Sequence, residues 1–435
     1  MKYSQKRTLW DMGKISSDEF KDFCRSGKDN YFTRNRKMPL HDLLFTMINR
    51  KGLSLALELR NYMKIAHPGV SISKPGYLKQ RMKLNPDAFL ELYKYHNRNF
   101  YSEPGFSTFH GYVVLAADGS DINIPTTKDT LRIYGTASRK NTKPQAQIGL
   151  ACIYDVMNHM ILESSCNRVK FDEMRVAEAQ LEHIPETIGE NQPFMIIMDR
   201  GYPSTPAFIH MIDKNIKFVV RLRKSDYKKE QLALTEDDSI VEIELNKSRM
   251  QHYEGTADGE RMKELGKICL RMVKNGNTEI LATNLPVSEF QTSEIAELYH
   301  MRWGIETAYE KLKDRLQLEN FTGTKPVLLL QDIYSTIYVS NLSEDIIRDA
   351  EQEMDEKELN KKHKMMINRT VSIGILKNDL IYILLETDKK KKEQLLQQIY
   401  DDISENLVPV RPNRHYHRTK GQLAGKYSNT HKRAY

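Results

Sequence analysis

Two short apolar runs that each lead into an aspartate constrain this chain most. Tyr112-Val-Val-Leu-Ala-Ala-Asp118-Gly-Ser and Phe194-Met-Ile-Ile-Met-Asp199-Arg-Gly-Tyr are apolar without alternation. Continuous runs of this length suit central strands covered on both faces, the arrangement of an α/β sheet. A strand that ends on an acid before a glycine turn delivers a carboxylate to the sheet edge where α/β folds collect ligands. Taken singly, each aspartate suits a turn opener or a helix cap equally well.

A third acid gives the pair its meaning. In Tyr299-His-Met-Arg302-Trp-Gly-Ile-Glu306-Thr-Ala-Tyr-Glu310-Lys-Leu-Lys313 the spacing predicts one continuous helix. Tyr299, Arg302, Glu306 and Lys313 fall at about 0°, 300°, 340° and 320° on its wheel, a stripe about 60° wide. Leu298, Ile305, Ala308 and Leu312 lie between about 180° and 260° and form a separate apolar side. One carboxylate among cationic and phenolic groups suits a metal bound beside a phosphate. Alone, such a helix reads as a solvated amphipathic face. With the two aspartates, three acids can hold a pair of divalent cations about 4 Å apart, one activating an attacking oxygen and one stabilising the leaving oxygen. Oxygen-only ligands favour Mg²⁺ or Mn²⁺ over zinc. Asp121 and Glu310, the latter at about 20° on the same wheel, satisfy the spacing as well, so spacing alone leaves the choice of acids open.

Between Asp199 and Glu306, strand-like runs follow one another: Ile240-Val-Glu-Ile-Glu-Leu245, Ile268-Cys-Leu-Arg-Met-Val273 and Ile280-Leu-Ala-Thr283. Charged and glycine-containing turns separate them, which predicts a β-rich insertion over residues 223–283.

These residues resemble a known family. Asp118-Gly-Ser, Asp199-Arg-Gly-Tyr and the Tyr-x2-Arg-x3-Glu-x6-Lys helix look like the DDE transposases of bacterial insertion sequences, in the group with the Tyr-Arg-Glu-Lys motif (insertion-sequence family four type). Thr283-Asn-Leu285, Leu298-Tyr299, Arg302-Trp303 and Glu319-Asn-Phe-Thr-Gly323 are similar to the family's wording too, so the resemblance spans roughly residues 105 to 345. It implies a catalytic and metal-binding triad of Asp118, Asp199 and Glu306 with two Mg²⁺ or Mn²⁺ ions. It places Tyr299, Arg302 and Lys313 against phosphates of the transposon end. The implied fold is α/β, with a ribonuclease-H-like catalytic core over 106–222 and 284–348 that the β insertion interrupts. The implied activity is transposition: binding of terminal inverted repeats in double-stranded DNA, metal-assisted cleavage, and joining of 3′ ends to target DNA by a homodimer in a synaptic complex. Relatives often pass through a DNA hairpin. Trp303, at about 40° on the wheel, suits either stacking on an unpaired base or plain packing.

Composition agrees with a polyanionic partner. The 435 residues carry a formal charge of +8, and the excess clusters at the end. After Glu405 there is no acid, while Arg411, Arg414, Arg418, Lys420, Lys426, Lys432 and Arg433 accompany histidines and tyrosines. Residues 349–435 therefore read as a helical, basic C-terminal region ending in a nucleic-acid-binding or merely solubilising tail. Residues 1–105 read as a helical DNA-binding domain. Leu40-His-Asp-Leu-Leu-Phe-Thr-Met-Ile-Asn49 has a helical period, and Ser71-Ile-Ser73-Lys-Pro begins a basic amphipathic stretch. As the second helix of a helix-turn-helix, this stretch would turn Ser73, Lys74, Lys79, Arg81 and Lys83 toward DNA; a plain bundle with a solvated basic face is the competing reading.

Cys24, Cys152, Cys166 and Cys269 show no Cys-x-x-Cys spacing, which argues against a zinc finger and a disulfide framework. With no signal-peptide core, no membrane-length apolar stretch and no P-loop, the expectation is an intracellular protein without membrane or nucleotide cofactor; the resemblance implies the bacterial cytoplasm, in association with the nucleoid. Two rivals remain: a ribonuclease-H-like DNA nuclease, and an inactive transposase-derived DNA-binding regulator.

Overall fold

The apolar run after Tyr112 becomes strand β1, Val113–Asn123, and the run from Phe194 becomes β4, Phe194–Met198. The computed structural model describes residues 2–34, 37–136, 143–276, 279–357 and 365–410. The remaining strands of the large sheet are β2 (Gln147–Asp155), β3 (Met160–Arg168), β5 (Lys217–Arg221), β6 (Asp238–Glu244), β7 (Lys267–Asn275) and β8 (Glu279–Thr283), in the order β3-β2-β1-β4-β5-β8-β7-β6. β1, β4 and β5 run parallel, whereas β5, β8, β7 and β6 pair antiparallel. Val113 to Ala116, Met195 to Met198 and Phe218 to Val220 are fully buried, as strands covered on both faces require.

The chain forms two compact units. One comprises Gly105–Asp121 and Gly149–Ala308 and contains nearly all of this sheet. Two expectations change here. β1 does not end at Asp118, because Gly119 and Ser120 stay extended and Ile122 is buried again beyond them. The segment expected as a β-rich insertion, 223–283, also carries helices Lys228–Leu232, Lys247–Met250 and Ala257–Leu265, and since β8 hydrogen-bonds directly to β5, β6 to β8 lengthen the core sheet. Buried Arg271 on β7 anchors this extension, donating to both carboxylate oxygens of Asp238 (2.8 and 2.6 Å) and to the carbonyl of Phe290 (2.9 Å).

The other unit takes in the described residues of Met1–Pro104, Ile122–Ile148 and Tyr309–Tyr435. Its axis is one helix, Pro326–Lys357, which packs against helices Ala88–Tyr101, Tyr3–Ser16 and Leu40–Ile48. The charged stretch after Asp349 thus begins as a continuation of the apolar helix. Polar pairs run through this core: Arg7 with Asp345 and Glu103, His96 with Asp11, Tyr338 with Asp11, and Asn341 with Asn97. Residues 1–105, expected as an N-terminal module, therefore share a core with helices that follow Tyr309. Among the described residues no helix is long and apolar enough to cross a membrane.

Lys377, on helix Arg369–Leu385, is buried, and its Nζ donates to the carbonyls of Ile48 (3.1 Å) and Arg50 (2.7 Å), where the helix Leu40–Ile48 ends. Burial, reinforced by the nearby Arg50 charge, pushes the amine down to about 7 from its ordinary 10.5. A neutral amine still has protons for both carbonyls. Between those two values the unfolded chain binds a proton that the folded chain does not, so this residue makes stability rise with pH across that window. Lys377→Met is expected to remove that rise, as read from urea unfolding midpoints of both proteins at pH values spanning the window.

Candidate active site

In the parallel pair β1 and β4, Ala116 lies level with Ile197. Two further steps of the same register bring Asp118 level with Asp199, just past the end of β4, and adjacent strands lie about 4.8 Å apart. Side chains alternate along a strand, so Asp121, an odd number of residues on, faces away from Asp118.

The third acid approaches from a helix that is not continuous. Helix Thr292–Met301 stops at Arg302, where Arg302 N–H bonds to the Tyr299 carbonyl (3.1 Å) and Ile305 N–H to the Arg302 carbonyl (3.2 Å), three-residue bonds that tighten the turn. A second helix, Trp303–Glu310, follows and opens into a π-helical turn, Lys311–Arg315, marked by a bond of 2.9 Å from Leu316 N–H to the Lys311 carbonyl. Azimuths computed for one regular α-helix therefore do not carry through to Lys313, which is half-buried and belongs to the other unit. Arg302 Nη2 donates to Glu306 Oε1 at 2.9 Å; it is thus Glu306, not the exposed Glu310, that takes the arginine.

Arg302 acts on all three acids. It pairs with Glu306 and lowers the proton affinity of both Asp118 and Asp199. Asp118 is nonetheless pushed up to about 6, first by burial and then by the negative charges of Glu173 and Glu306, against an opposing backbone N–H of Gly119. Asp199 goes the other way. Burial opposes its ionisation, but the Arg200 N–H, the Tyr299 hydroxyl, Arg302 and Arg221 together hold it below the usual carboxylate range.

Tyr299 donates its hydroxyl to Asp199 Oδ1 at 3.0 Å. Burial, with the Asp199 charge, pushes that phenol up to about 12, so it remains a donor. The tyrosine expected against a phosphate is here turned onto Asp199. Tyr299→Phe is expected to weaken Mn²⁺-dependent cleavage by about 10–100-fold, the cost typical of removing a group that orients a ligand; rates measured across a Mn²⁺ series would show the loss shrinking as the ion saturates. Trp303 is 46 % exposed.

Two site residues escaped the sequence reading. Arg221, at the end of β5, stands 3.7 Å from Asp199 Oδ1 and 3.0 Å from Glu279. An arginine closing an apolar strand beside an aspartate-bearing one was the available signal. Glu173, at the start of a helix, lies against Gly119 of β1, and nothing in its local sequence marks it.

The carboxylates suit a divalent cation in kind, since all donors are oxygen. Among the described residues, no three acidic, histidine or cysteine side chains converge closely enough to hold an ion. Glu306 is engaged by Arg302 and Asp199 by Tyr299, and ion binding would exchange those contacts.

In the N-terminal segment Ser73 caps helix Lys74–Arg81 by accepting from the Gly76 N–H. Lys74 and Lys79 are exposed, and Lys83, half-buried, donates to Gln80 (3.1 Å). Arg81 is withdrawn from the DNA-facing set: it is 0 % exposed and bonds to Gln331, the Leu328 carbonyl and Asp332. The basic tail from Arg411 lies outside the described residues.

The sequence pattern of the family described as Transposase DDE domain matches residues 109–342, more than half of the chain. The chain is 20 % identical over 356 residues to the transposase InsG for insertion sequence element IS4 of Escherichia coli (strain K12), covering 78 % of this chain and 76 % of that one. It is 33 % identical over 69 residues to the transposase for insertion sequence element IS421 of Escherichia coli, 16 % of this chain and 19 % of that protein. Among solved structures, the cryo-EM structure of the piggyBac transposase synaptic complex with hairpin DNA is similar with a TM-score of 0.48 and 9 % identity, over 98 % of this chain and 92 % of that one. The chain belongs to the DDE transposases, DNA-cleaving and joining enzymes, and within them to the IS4 type.

Proposed function

We propose that this transposase binds the terminal inverted repeats of its own insertion sequence, cleaves the element ends by metal-assisted phosphoryl transfer, and joins the freed 3′ ends to target DNA. What carries this reading is the convergence of Asp118, Asp199 and Glu306 on one arginine. Asp118 and Asp199 would hold one ion and, with Glu306, a second; bound Mg²⁺ or Mn²⁺ activates water and offsets charge on the leaving oxygen. Glu306 must then leave Arg302. The freed guanidinium has donors for a phosphate oxygen, and its Nε, buried and without a hydrogen-bond partner among the described residues, is one of them. Tyr299 keeps Asp199 ionised, and Lys313, in the other unit, contacts a DNA phosphate of its own. Trp303 stacks on an unpaired base, a role that its exposure supports.

The parallel centre of the sheet, β1, β4 and β5, supports a ribonuclease-H-like core. Ser73, Lys74, Lys79 and Lys83 contribute DNA contacts from the N-terminal segment, and the basic tail adds salt-sensitive affinity. Two ends must meet for joining, so the active form is a homodimer on DNA, acting in the bacterial cytoplasm. Excision through a hairpin fits the same site.

The test incubates the full-length protein and Mg²⁺ with DNA carrying the flanks of its coding region and a target plasmid. Paired cuts at inverted repeats, followed by covalent joining of 3′ ends to the plasmid, are expected. Cutting without joining would favour the nuclease reading, and binding without cutting the regulator.

A further inference from the structure

Three helices of the sheet-bearing unit meet on one histidine. His210 stands in the last turn of helix Thr205–Asp213. Its Nδ1 lies 2.9 Å from Glu178 Oε1, on helix Glu173–Leu181, and its Nε2 lies 3.0 Å from Asp258 Oδ1, on helix Ala257–Leu265. A neutral imidazole has one donor nitrogen and one acceptor, and an ionised carboxylate offers acceptors alone. Carboxylates on both nitrogens therefore suit a doubly protonated ring, because the neutral ring would set a lone pair against one of them. The helix ends favour the same charges. A cation in the last turn of a helix and an acid in the first turn each complement the local dipole, and His210 and Asp258 occupy such positions.

Helices Glu173–Leu181 and Thr205–Asp213 flank β4 in the chain, whereas Ala257–Leu265 lies between β6 and β7, in the part that lengthens the core sheet. Further charges surround the ring. Lys214 pairs with Glu182 (2.5 Å), Arg261 donates to both oxygens of Asp213 (2.9 and 2.8 Å), and Tyr253 lies beside Asp258. Imidazole is the member of this set whose ordinary range lies near neutrality. Burial opposes its charge, but Glu178 and Asp258 together outweigh that and raise its proton affinity. Helix Ala257–Leu265 has other attachments, since Met262 is buried and Gly259 packs against the Tyr253 carbonyl. Losing the histidine's proton would thus loosen the helix without unfolding the sheet.

We infer that His210 is a proton-operated staple: as an imidazolium bonded to Glu178 and Asp258 it fastens helix Ala257–Leu265, and with it the β6–β7 end of the sheet, to the two helices beside β4. No acid of the triad takes part in it. The folded chain holds the His210 proton more tightly than the unfolded chain, whose ordinary value is 6.5. The staple is therefore complete below that value and is lost as pH rises through the higher folded one.

The test is amide hydrogen exchange of the full-length protein between about pH 6 and about pH 9, the span in which an imidazole with a raised proton affinity titrates. Peptides covering helix Ala257–Leu265 are read by mass spectrometry, corrected for the intrinsic rate at each pH, and referred to peptides from β1 and β4. Wild-type protection of the helix is expected to fall roughly two- to tenfold across the span, the scale of a pair of partly exposed charged contacts. His210→Gln keeps polar atoms at the position without a titrating proton, and it is expected to show the low protection at every pH. Asp258→Asn removes one of the two carboxylates and is expected to shrink the step. Should His210→Gln fail to fold, Asp258→Asn, at a helix start, carries the test. A wild-type helix whose protection does not fall relative to β1 and β4, or a fall of undiminished size in either folded variant, would overturn the inference and leave His210 as a surface contact.

Discussion

Glu306→Gln is expected to reduce Mg²⁺-dependent cleavage by at least about 10³-fold while leaving DNA binding intact. The substitution keeps the side chain's shape, and its amide oxygen can still accept from Arg302, whose bond to Glu306 is 2.9 Å. What disappears is the charge. Losing one carboxylate of a two-ion site forfeits several kcal/mol of transition-state stabilisation, and about 4 kcal/mol corresponds to roughly 10³ in rate. DNA affinity has no reason to fall, because the variant removes a negative charge from a surface proposed to face phosphates and leaves Arg302 less neutralised. Single-turnover cleavage and gel-shift titration on the same labelled repeat separate the two quantities. Cleavage at the wild-type rate would mean that another acid ligates the ion, and Glu310→Gln would be the next variant to compare. A parallel loss of cleavage and binding would mean that Glu306 supports the fold, not the chemistry.

How much of this was readable in advance depends on the range of the interactions. The central strands were legible because β1 and β4 bury both faces and so need unbroken apolar runs, a local signature. Helix Leu40–Ile48 and the Ser73-capped Lys74–Arg81 helix were legible for the same reason: period and cap are written within a few residues. The interruption at Arg302 was not, since no proline marks it; Gly304, which packs near Tyr154 and Val156 of the sheet, is the only local hint. The choice of Asp118 over Asp121 was open in spacing; once β1 is known to continue, alternation turns the two to opposite faces, and the register brings Asp118 level with Asp199. The bond from Tyr299 to Asp199 and the place of Glu173 against Gly119 went unread because each joins residues distant in sequence. A hydrogen bond between residues 100 apart, such as Tyr299 to Asp199, leaves no periodic trace. The extension of the sheet by β6 to β8 was hidden likewise, because strand patterns reveal that a segment is extended but not which strand it joins.

Arg81→Ala is expected to destabilise the protein by about 3–5 kcal/mol, the range for removing one partner of a buried ion pair, and to do so whether or not DNA is present. The sequence makes Arg81 look like a DNA contact, since it ends a basic helix with Lys74 and Lys79. Its side chain turns the opposite way. The guanidinium is 0 % exposed, donates to Gln331 (3.0 Å), the Leu328 carbonyl (2.9 Å), Asp332 (2.9 Å) and the Thr322 hydroxyl, and lies over the Tyr77 ring. Asp332 is buried as well, and against the cost of that burial Arg81 and Arg50 hold its carboxyl below the ordinary range. Truncation leaves Asp332 with Arg50 at 3.1 Å as its remaining ion-pair partner and takes from Gln331 Oε1 the donor that Arg81 supplies, a loss costly in a dry interior. Lys79→Ala is the contrast. Lys79 is exposed, so its loss should shift stability by no more than about 0.5 kcal/mol, yet a phosphate contact there would lower the salt dependence of DNA binding by about one unit of slope. Urea unfolding midpoints and salt-dependent binding isotherms of the two variants thus move in opposite columns. An Arg81→Ala protein with a wild-type midpoint and reduced DNA affinity would place Arg81 at the DNA after all, and its buried bonds would then have to open on binding.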